Sequence, residues 1–349
     1  MPENSIDHID FEDLNKRSIS PHIITHLYTA DPSAHVFDGK LYIYPSHDID
    51  AGDAFDDLGS HFAMEDYHVF SMEDIDSEVK DHGIALHVDN VKWAEKQMWA
   101  PDANEKNGKY YFFFPAKDHK GIFRIGVAVG KKPEGPFTPM DKPIDGSFSI
   151  DPAVYKDDDG EYYMYFGGIW GGQLQRWRNG VFNSDNPSSP TAFLPNDDEP
   201  ALLPFVAKMS DDLLEFAEKP AEVQILDERG KLLLAGDNER RFFEAAWVHK
   251  YDGKYYFSYS TGDTHFICYA IGDNPYGPFT YKGKILNPVV GWTSHHSICE
   301  FKGKWYLFYH DSSLSKGVTH LRSIKIAEIQ YDKDGLIRTL EPYNDFLIL

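Results

Sequence analysis

One short pattern recurs five times in the chain: "FDGKLYIY" at Gly39, "KNGKYYFFF" at Gly108, "DDGEYYMYF" at Gly160, "YDGKYYFSY" at Gly253 and "FKGKWYLFY" at Gly303. Each copy is a glycine turn followed by alternating aromatic and aliphatic residues, the signal of a β-hairpin. A lone hairpin is marginal in water, so five in one chain must pack against one another. Their uneven spacing describes a repeated fold unit with loop insertions rather than a strict array. Two Gly-Pro-Phe turns, Gly135–Phe137 and Gly277–Phe279, close the second and fourth units. Five four-stranded units that close on each other give an all-β fold, a five-bladed β-propeller, whose sheet edges are short and protected. A β-sandwich does not explain five equivalent hairpins. Residues 1–349 then form a single domain, with about 20 residues at the start and about 19 at the end as closing or peripheral segments.

In each unit the strand before the glycine turn lines the central channel. Counting back eight or nine residues from each glycine reaches Asp31, Ala100, Asp151, Glu244 and His295, set in "YTADPSA", "MWAPDA", "SIDPAV", "FFEAAW" and "TSHHSI". Asp-Pro is a common turn dipeptide, which accounts for one such site. It does not account for three acids and a histidine in one register. Like charges converging on a channel cost energy unless the chemistry needs them. Carboxylates facing each other across a cavity are the minimum kit for cleaving a glycosidic bond, one as proton donor and one as base or nucleophile.

The rest of the composition narrows the partners. A formal net charge of -22 argues against nucleic acid and anionic membranes. The 21 Tyr and 7 Trp suit strands and also surfaces that stack on sugar rings. Cys268 and Cys299 are too few for a disulfide framework and read as reduced core residues. The opening "MPENSIDHIDFEDLNKRSIS" has no apolar signal region and no run reaches a membrane span, so a cytoplasmic location is expected, with a homo-oligomer possible. The longest gap between hairpins begins "FGGIWGGQLQRW", with glycines that allow close backbone approach and Trp170 as a pocket wall. Within that gap "MSDDLLEFAEKP" carries a short helical pattern.

From about Thr25 to Gln330 the chain resembles glycoside hydrolase family 43. The resemblance rests on the Asp before "HVFDGKLYIY", on "WAPD", on "SIDPAVYKDDDG" and on "FFEAAWVHKYDGKYYFSYS". It implies Asp31 as general base, Glu244 as general acid and Asp151 as the carboxylate that tunes and orients the acid, in an inverting reaction. The apolar flanks of Glu244 (Phe242, Phe243, Ala245, Ala246 and Trp247) suit an acid that stays protonated near neutral pH. Arg322 in "THLRSIKIAEI" matches a sugar-binding arginine, though its fork suits an adjacent carboxylate equally. Trp99 and His47 match substrate-binding positions. His295 matches a histidine that touches a divalent cation, usually calcium, at the propeller centre. One imidazole plus waters is an unusual shell for an ion that prefers oxygen ligands.

The residues after Gln330 provide for about one closing strand and no second domain. The resemblance is therefore to single-domain members acting on xylose and arabinose ends. It implies an exo-acting hydrolase of short oligosaccharides, a β-xylosidase with α-L-arabinofuranosidase side activity, or the reverse ranking. A non-catalytic sugar-binding propeller would have no reason to set Glu244 and Asp31 on opposite blades. Loops in 48–98 and 167–243 are expected to wall the pocket, with Trp99 and Trp170 as stacking surfaces.

Overall fold

The computed structural model describes residues 8–344. The hairpin repeat folds into five sheets. The first holds β1 (Tyr28–Phe37), β2 (Lys40–Asp48), β3 (Asp66–Met72) and β4 (Lys80–His87) in sequential antiparallel order. In the second, β5 (Ala94–Lys96) and β6 (Asp102–Lys106) both pair with β7 (Lys109–Asp118), followed by β8 (Phe123–Gly130) and β9 (Thr138–Pro139). The third runs β10 (Ala153–Lys156), β11 (Tyr162–Phe166), β12 (Phe205–Lys208) and β13 (Ala221–Glu222). The fourth adds β14 (Ile225–Leu226), parallel to the outer strand, to β15 (Glu244–Tyr251), β16 (Lys254–Ser260), β17 (Ile267–Gly272) and β18 (Phe279–Leu286). The fifth has β19 (His296–Phe301), β20 (Lys304–Asp311) and β21 (Ser323–Ile329).

The innermost strands meet in a ring: β1 touches β6 and β19, β10 touches β6 and β15, and β15 touches β19. This is the five-bladed propeller. Its hairpin glycines all take positive φ, and Asp38, Asn107, Asp252 and Lys302 before four of them do so too, the two-residue turn that matches strand twist. Each seam between neighbouring blades has its own apolar cluster. Tyr44, Tyr67, Phe112 and Phe114 fill the seam between the first and second blades, and Tyr165, Phe243, Phe257 and Phe279 that between the third and fourth. Each fully buried large side chain contributes about 1.5–3 kcal/mol. The Gly-Pro-Phe turns lead into β9 and β18, and each sets its phenylalanine against a glycine on the neighbouring strand, Phe137 on Gly130 and Phe279 on Gly272.

The fifth sheet is completed by the chain's own beginning. His22 bridges Lys325, the Ile23 N–H donates to Ile324 O at 3.0 Å, and the Thr29 N–H donates to Arg322 O at 2.8 Å. Ahead of this clasp lies a short helix, α1 (Phe11–Arg17), capped by the Asp10 carboxylate and anchored by the buried Leu14. Past β21 the described chain adds isolated bridges (Tyr331 to Ile337, Leu286 to Leu340, Ser18 to Tyr343) in place of a closing strand.

The segment "MSDDLLEFAEKP" is not helical. Asp212 Oδ1 accepts from Ser210 Oγ and from the Leu214 N–H, Leu213 takes φ +59°, and Met209 bridges Phe216. Local side-chain bonds have captured the backbone donors that a helix would use. The preceding loop wraps the buried Arg176, whose guanidinium donates to the carbonyls of Asn183, Asp185, Asn186 and Ser189.

Candidate active site

Asp31, Asp151 and Glu244 sit at the same place in three blades, where the inner strand begins and the backbone departs from regular strand geometry. Register shifts interrupt the β1–β2 ladder between Ala30 and Ser33 and the β15–β16 ladder between Glu244 and Trp247. Asp31, Asp151 and Ala245 all carry positive φ, at +50°, +58° and +63°. Non-glycine residues hold such conformations only where the surroundings fix them, and a bulge re-aims the side chains beside it. Here it turns three carboxylates into one cavity, which they line with His295 and Arg322. Gly168 is required behind Glu244: a Cβ there would lie 2.6 Å from Ile150 and 3.3 Å from Glu244 Cβ.

The cavity encloses about 780 Å³, its mouth included. Much of its wall comes from the two insertions picked out in the sequence. The first supplies Phe55, His61, Phe62 and Met64, with Trp99 immediately after it, and the second Ile169, Trp170 and Gly171, while Trp292 and Thr319 come from the fifth blade. Trp99 is fixed by donating Nε1–H to Phe62 O at 2.8 Å, and Trp170 packs against Phe243 and Trp292. The glycines of "GGIWGG" serve two ends. Gly171 and Gly172 face the cavity, while a Cβ on Gly171 would strike Leu58 O at 2.8 Å, so the two loops meet backbone to backbone.

The electrostatics divide the ring. Arg322 directs all five of its N–H donors inward. Nε and Nη2 donate to Asp48 at 2.9 and 2.7 Å, Nη1 and Nη2 to Asp31 at 2.9 and 3.2 Å, and Nη1 also to Thr293 Oγ1 at 3.0 Å. Asp31 gains a further donor from Ser46 Oγ at 2.7 Å. Burial is the strongest single influence and would raise the Asp31 carboxyl, but the Arg322 charge, together with His295, His310 and the Ser46 hydrogen bond, outweighs it and holds the group at about 2. Glu244 lies in the opposite situation. Burial, then the negative charge of Asp31, push its carboxyl up to about 8. Asp151 is also pushed up, by burial and by Glu244, but its Oδ2 accepts the Ala245 N–H at 2.8 Å. That bond favours the ionised form of Asp151 and opposes the rise, but burial and the charges of Glu244 and Asp31 outweigh it.

Arg322 lines the cavity, and its donors engage Asp31, Asp48 and Thr293, which makes it the counter-ion of the base. His47 does not line the cavity. Successive side chains of a strand point to opposite faces, so with Asp48 turned inward to Arg322, His47 turns outward and bonds Asp66 at 2.7 Å. His295 stands between carboxylates, its Nδ1 3.8 Å from Asp31 Oδ1 and 3.8 Å from Asp151 Oδ2, and burial holds its ring at about 4, hence neutral.

Sequence reasoning overlooked two participants, His310 and Asp102, and noted Asp48 only beside His47 in "YPSHD", without its ion pair to Arg322. His310, at the end of the fifth hairpin as Ser46 is near the end of the first, accepts the Asp31 N–H on Nδ1 at 3.0 Å. Asp102 of "WAPD" is fully buried below the cavity, accepting from His35 Nε2 and Ser33 Oγ and, at 2.5 Å, from the Val154 N–H, so it ties three blades together. Ala100, which the count selected, does line the cavity.

Residues 22–189 and 204–337 match the family described as glycosyl hydrolases family 43. The chain is 62% identical over 315 residues to a xylosidase/arabinosidase of Bacteroides ovatus, covering 90% of this chain and 95% of that one. It superposes with a TM-score of 0.92 on CoXyl43, a β-xylosidase/α-arabinofuranosidase from a compost microbial metagenome solved with xylotriose in a calcium-free form. Their identity is 64%, and the match covers 94% of this chain and 99% of that one. A GH43_1 enzyme of Xanthomonas citri complexed with xylose gives a TM-score of 0.90 at 56% identity, covering 96% of this chain and 97% of that one. With three ring carboxylates at the head of its inner strands and a family match along most of its length, the chain belongs to glycosyl hydrolase family 43.

Proposed function

We propose that this enzyme is an inverting exo-glycoside hydrolase that releases terminal xylose from short oligosaccharides, with α-L-arabinofuranosidase side activity. The observation that carries the reading is the division of the ring: a base held ionised by Arg322 and an acid held protonated by burial line one cavity. Relatives named for xylosidase and arabinosidase activity, and solved with xylose or xylotriose, support the choice of sugar.

In this mechanism Glu244 donates its proton to the leaving oxygen as the glycosidic bond breaks. Asp31 takes a proton from a water that attacks the opposite face of the sugar, and one displacement inverts the anomeric centre. Asp151 disfavours the ionised form of Glu244 beforehand and helps orient it. The apolar walls exclude water and pack on the sugar's C–H faces. The two insertions contribute residues to the cavity wall, which suits a pocket that takes a chain end. A divalent cation fits beside His295, whose neutral imidazole faces two carboxylates. His295 would hold it with waters completing an oxygen-rich shell, and such an ion supplies charge that orders water beneath the sugar.

Anomer-resolved NMR on an aryl β-xyloside and an aryl α-L-arabinofuranoside tests the reading. The first-formed sugar from the xyloside is expected as the α-anomer, with faster turnover than the arabinofuranoside. Early β-xylose would establish retention and remove Asp31 from the role of base. Chromatography on xylotetraose should show xylose from the first time point, and early xylobiose without monomer would exclude exo cleavage.

A further inference from the structure

The outward turn of His47 places it in a cluster that the glycosidase reading does not use. His47 on β2, with Asp66 and His68 on β3, offer ligand atoms that all lie within 4.8 Å of one another. Asp66 and His68 are two apart on one strand and so share a face, and the two imidazoles meet edge to face with centroids 5.0 Å apart. Asp81 of β4 binds Nδ1 of His68 at 3.0 Å, which leaves Nε2 of that ring as the ligand atom, the carboxylate–histidine support usual behind a metal-bound imidazole. The other oxygen of Asp81 reaches His26 Nε2 at 2.9 Å. His26 belongs to the segment that closes the fifth blade, so the cluster spans the clasp.

We propose that His47, Asp66 and His68 form a second divalent-cation site, separate from the sugar cavity, for a borderline transition ion such as Zn²⁺ or Co²⁺ rather than for calcium. Two imidazoles and one carboxylate match the donor preference of these ions, whereas calcium prefers shells made mostly of oxygen ligands. The three side chains are 13–15% exposed, enough for entry and for a water to complete a tetrahedron. The carboxylate of Asp66 bonds His47 at 2.7 Å and adds negative charge at the site. An ion here joins β2 to β3 next to the clasp and stabilises the closed ring.

The test is titration of chelator-stripped protein with Co²⁺, followed by its visible d–d absorption, and with Zn²⁺, followed by Tm. Native protein and His295→Gln are expected to take up one Co²⁺ with the intense bands of a four-coordinate nitrogen–oxygen site, and Zn²⁺ should raise Tm. In His68→Gln and Asp66→Asn the bands should vanish and the affinity fall at least ten-fold, while Ca²⁺ produces no competition. Bands that persist in both folded variants, or that disappear only in His295→Gln, would overturn the assignment, as would the absence of Co²⁺ uptake by the His295→Gln protein. Circular dichroism establishes folding, and if one of the two variants is unfolded the other decides.

Discussion

The two sides of the catalytic ring use the same functional group at equivalent positions and give it opposite properties. Around Asp31 the protein builds a polar nest in which Arg322, Ser46 and the second aspartate Asp48 make a network of charged hydrogen bonds. Around Glu244 the cavity wall carries Phe243, Ile169, Trp170 and Trp292, and the Arg322 charge counts for less there than burial and the negative charge of Asp31. One carboxyl lies near 2 and the other near 8. The acid and base are assigned by their neighbours and not by residue type.

The comparison breaks most completely at Asp31. Asp31→Ala should lower kcat by about 10,000-fold, the upper end for a lost general base, and equally for activated aryl and natural glycosides, because water must be activated whatever departs. Steady-state kinetics on both substrate types checks this, and a loss confined to natural substrates would reassign the residue. Arg322→Met comes next. It leaves Asp31 and Asp48 buried without a counter-charge and should cost about 3–5 kcal/mol in urea unfolding. The native pairing lowers the Asp31 pKa, so its stabilisation is present above the ordinary value of 3.8 and is lost as pH falls toward about 2. In Arg322→Met that dependence should reverse, and the acid limb of kcat should move to higher pH.

Glu244→Gln sharpens the other half. Turnover should fall about 1,000-fold on poor leaving groups but only about 10-fold on activated aryl glycosides, since the latter need little protonation. The native rate should decline as pH rises through about 8, and Gln should abolish that limb. The same variant should be more stable than the native protein at alkaline pH. With its folded pKa raised, Glu244 loses stability for the chain as pH climbs from 4.5 toward 8, and Gln removes the slope. The smallest effect is expected from Phe243→Ser, which admits water beside the acid. The alkaline limb of kcat should shift to lower pH with rates on aryl glycosides nearly unchanged, and an unmoved limb would mean that burial by Phe243 does not set the Glu244 pKa.

The blades and the three carboxylates were legible in the sequence because a hairpin glycine is a fixed marker and strand length is nearly constant. Counting back from it reached Asp31, Asp151 and Glu244. In the second blade the count reached Ala100, which lines the cavity without a carboxylate, and passed over Asp102, which begins the inner strand. It failed by one in "YPSHD", where alternation sends Asp48 inward and His47 outward, and sequence alone does not say which parity faces the channel. The role of Arg322 was half legible: a guanidinium serves hydroxyls or carboxylates, and only the approach of two aspartates from another blade decides between them. The false helix at residues 209–220 failed because Ser210 and Asp212 bond the local backbone more readily than the helical pattern predicts.

The clasp that completes the fifth blade has a consequence for biosynthesis. Asp31 and Asp48 emerge from the ribosome with the first blade, whereas Arg322 follows almost 300 residues later, in the last. Until the final blade docks, the nascent first blade carries two carboxylates in an unfinished interior without their cation. Such long-range pairing is slow to form because loop closure precedes any reward. The general base is therefore assembled at the moment the ring shuts, and enzymatic activity becomes a readout of complete circular closure during refolding.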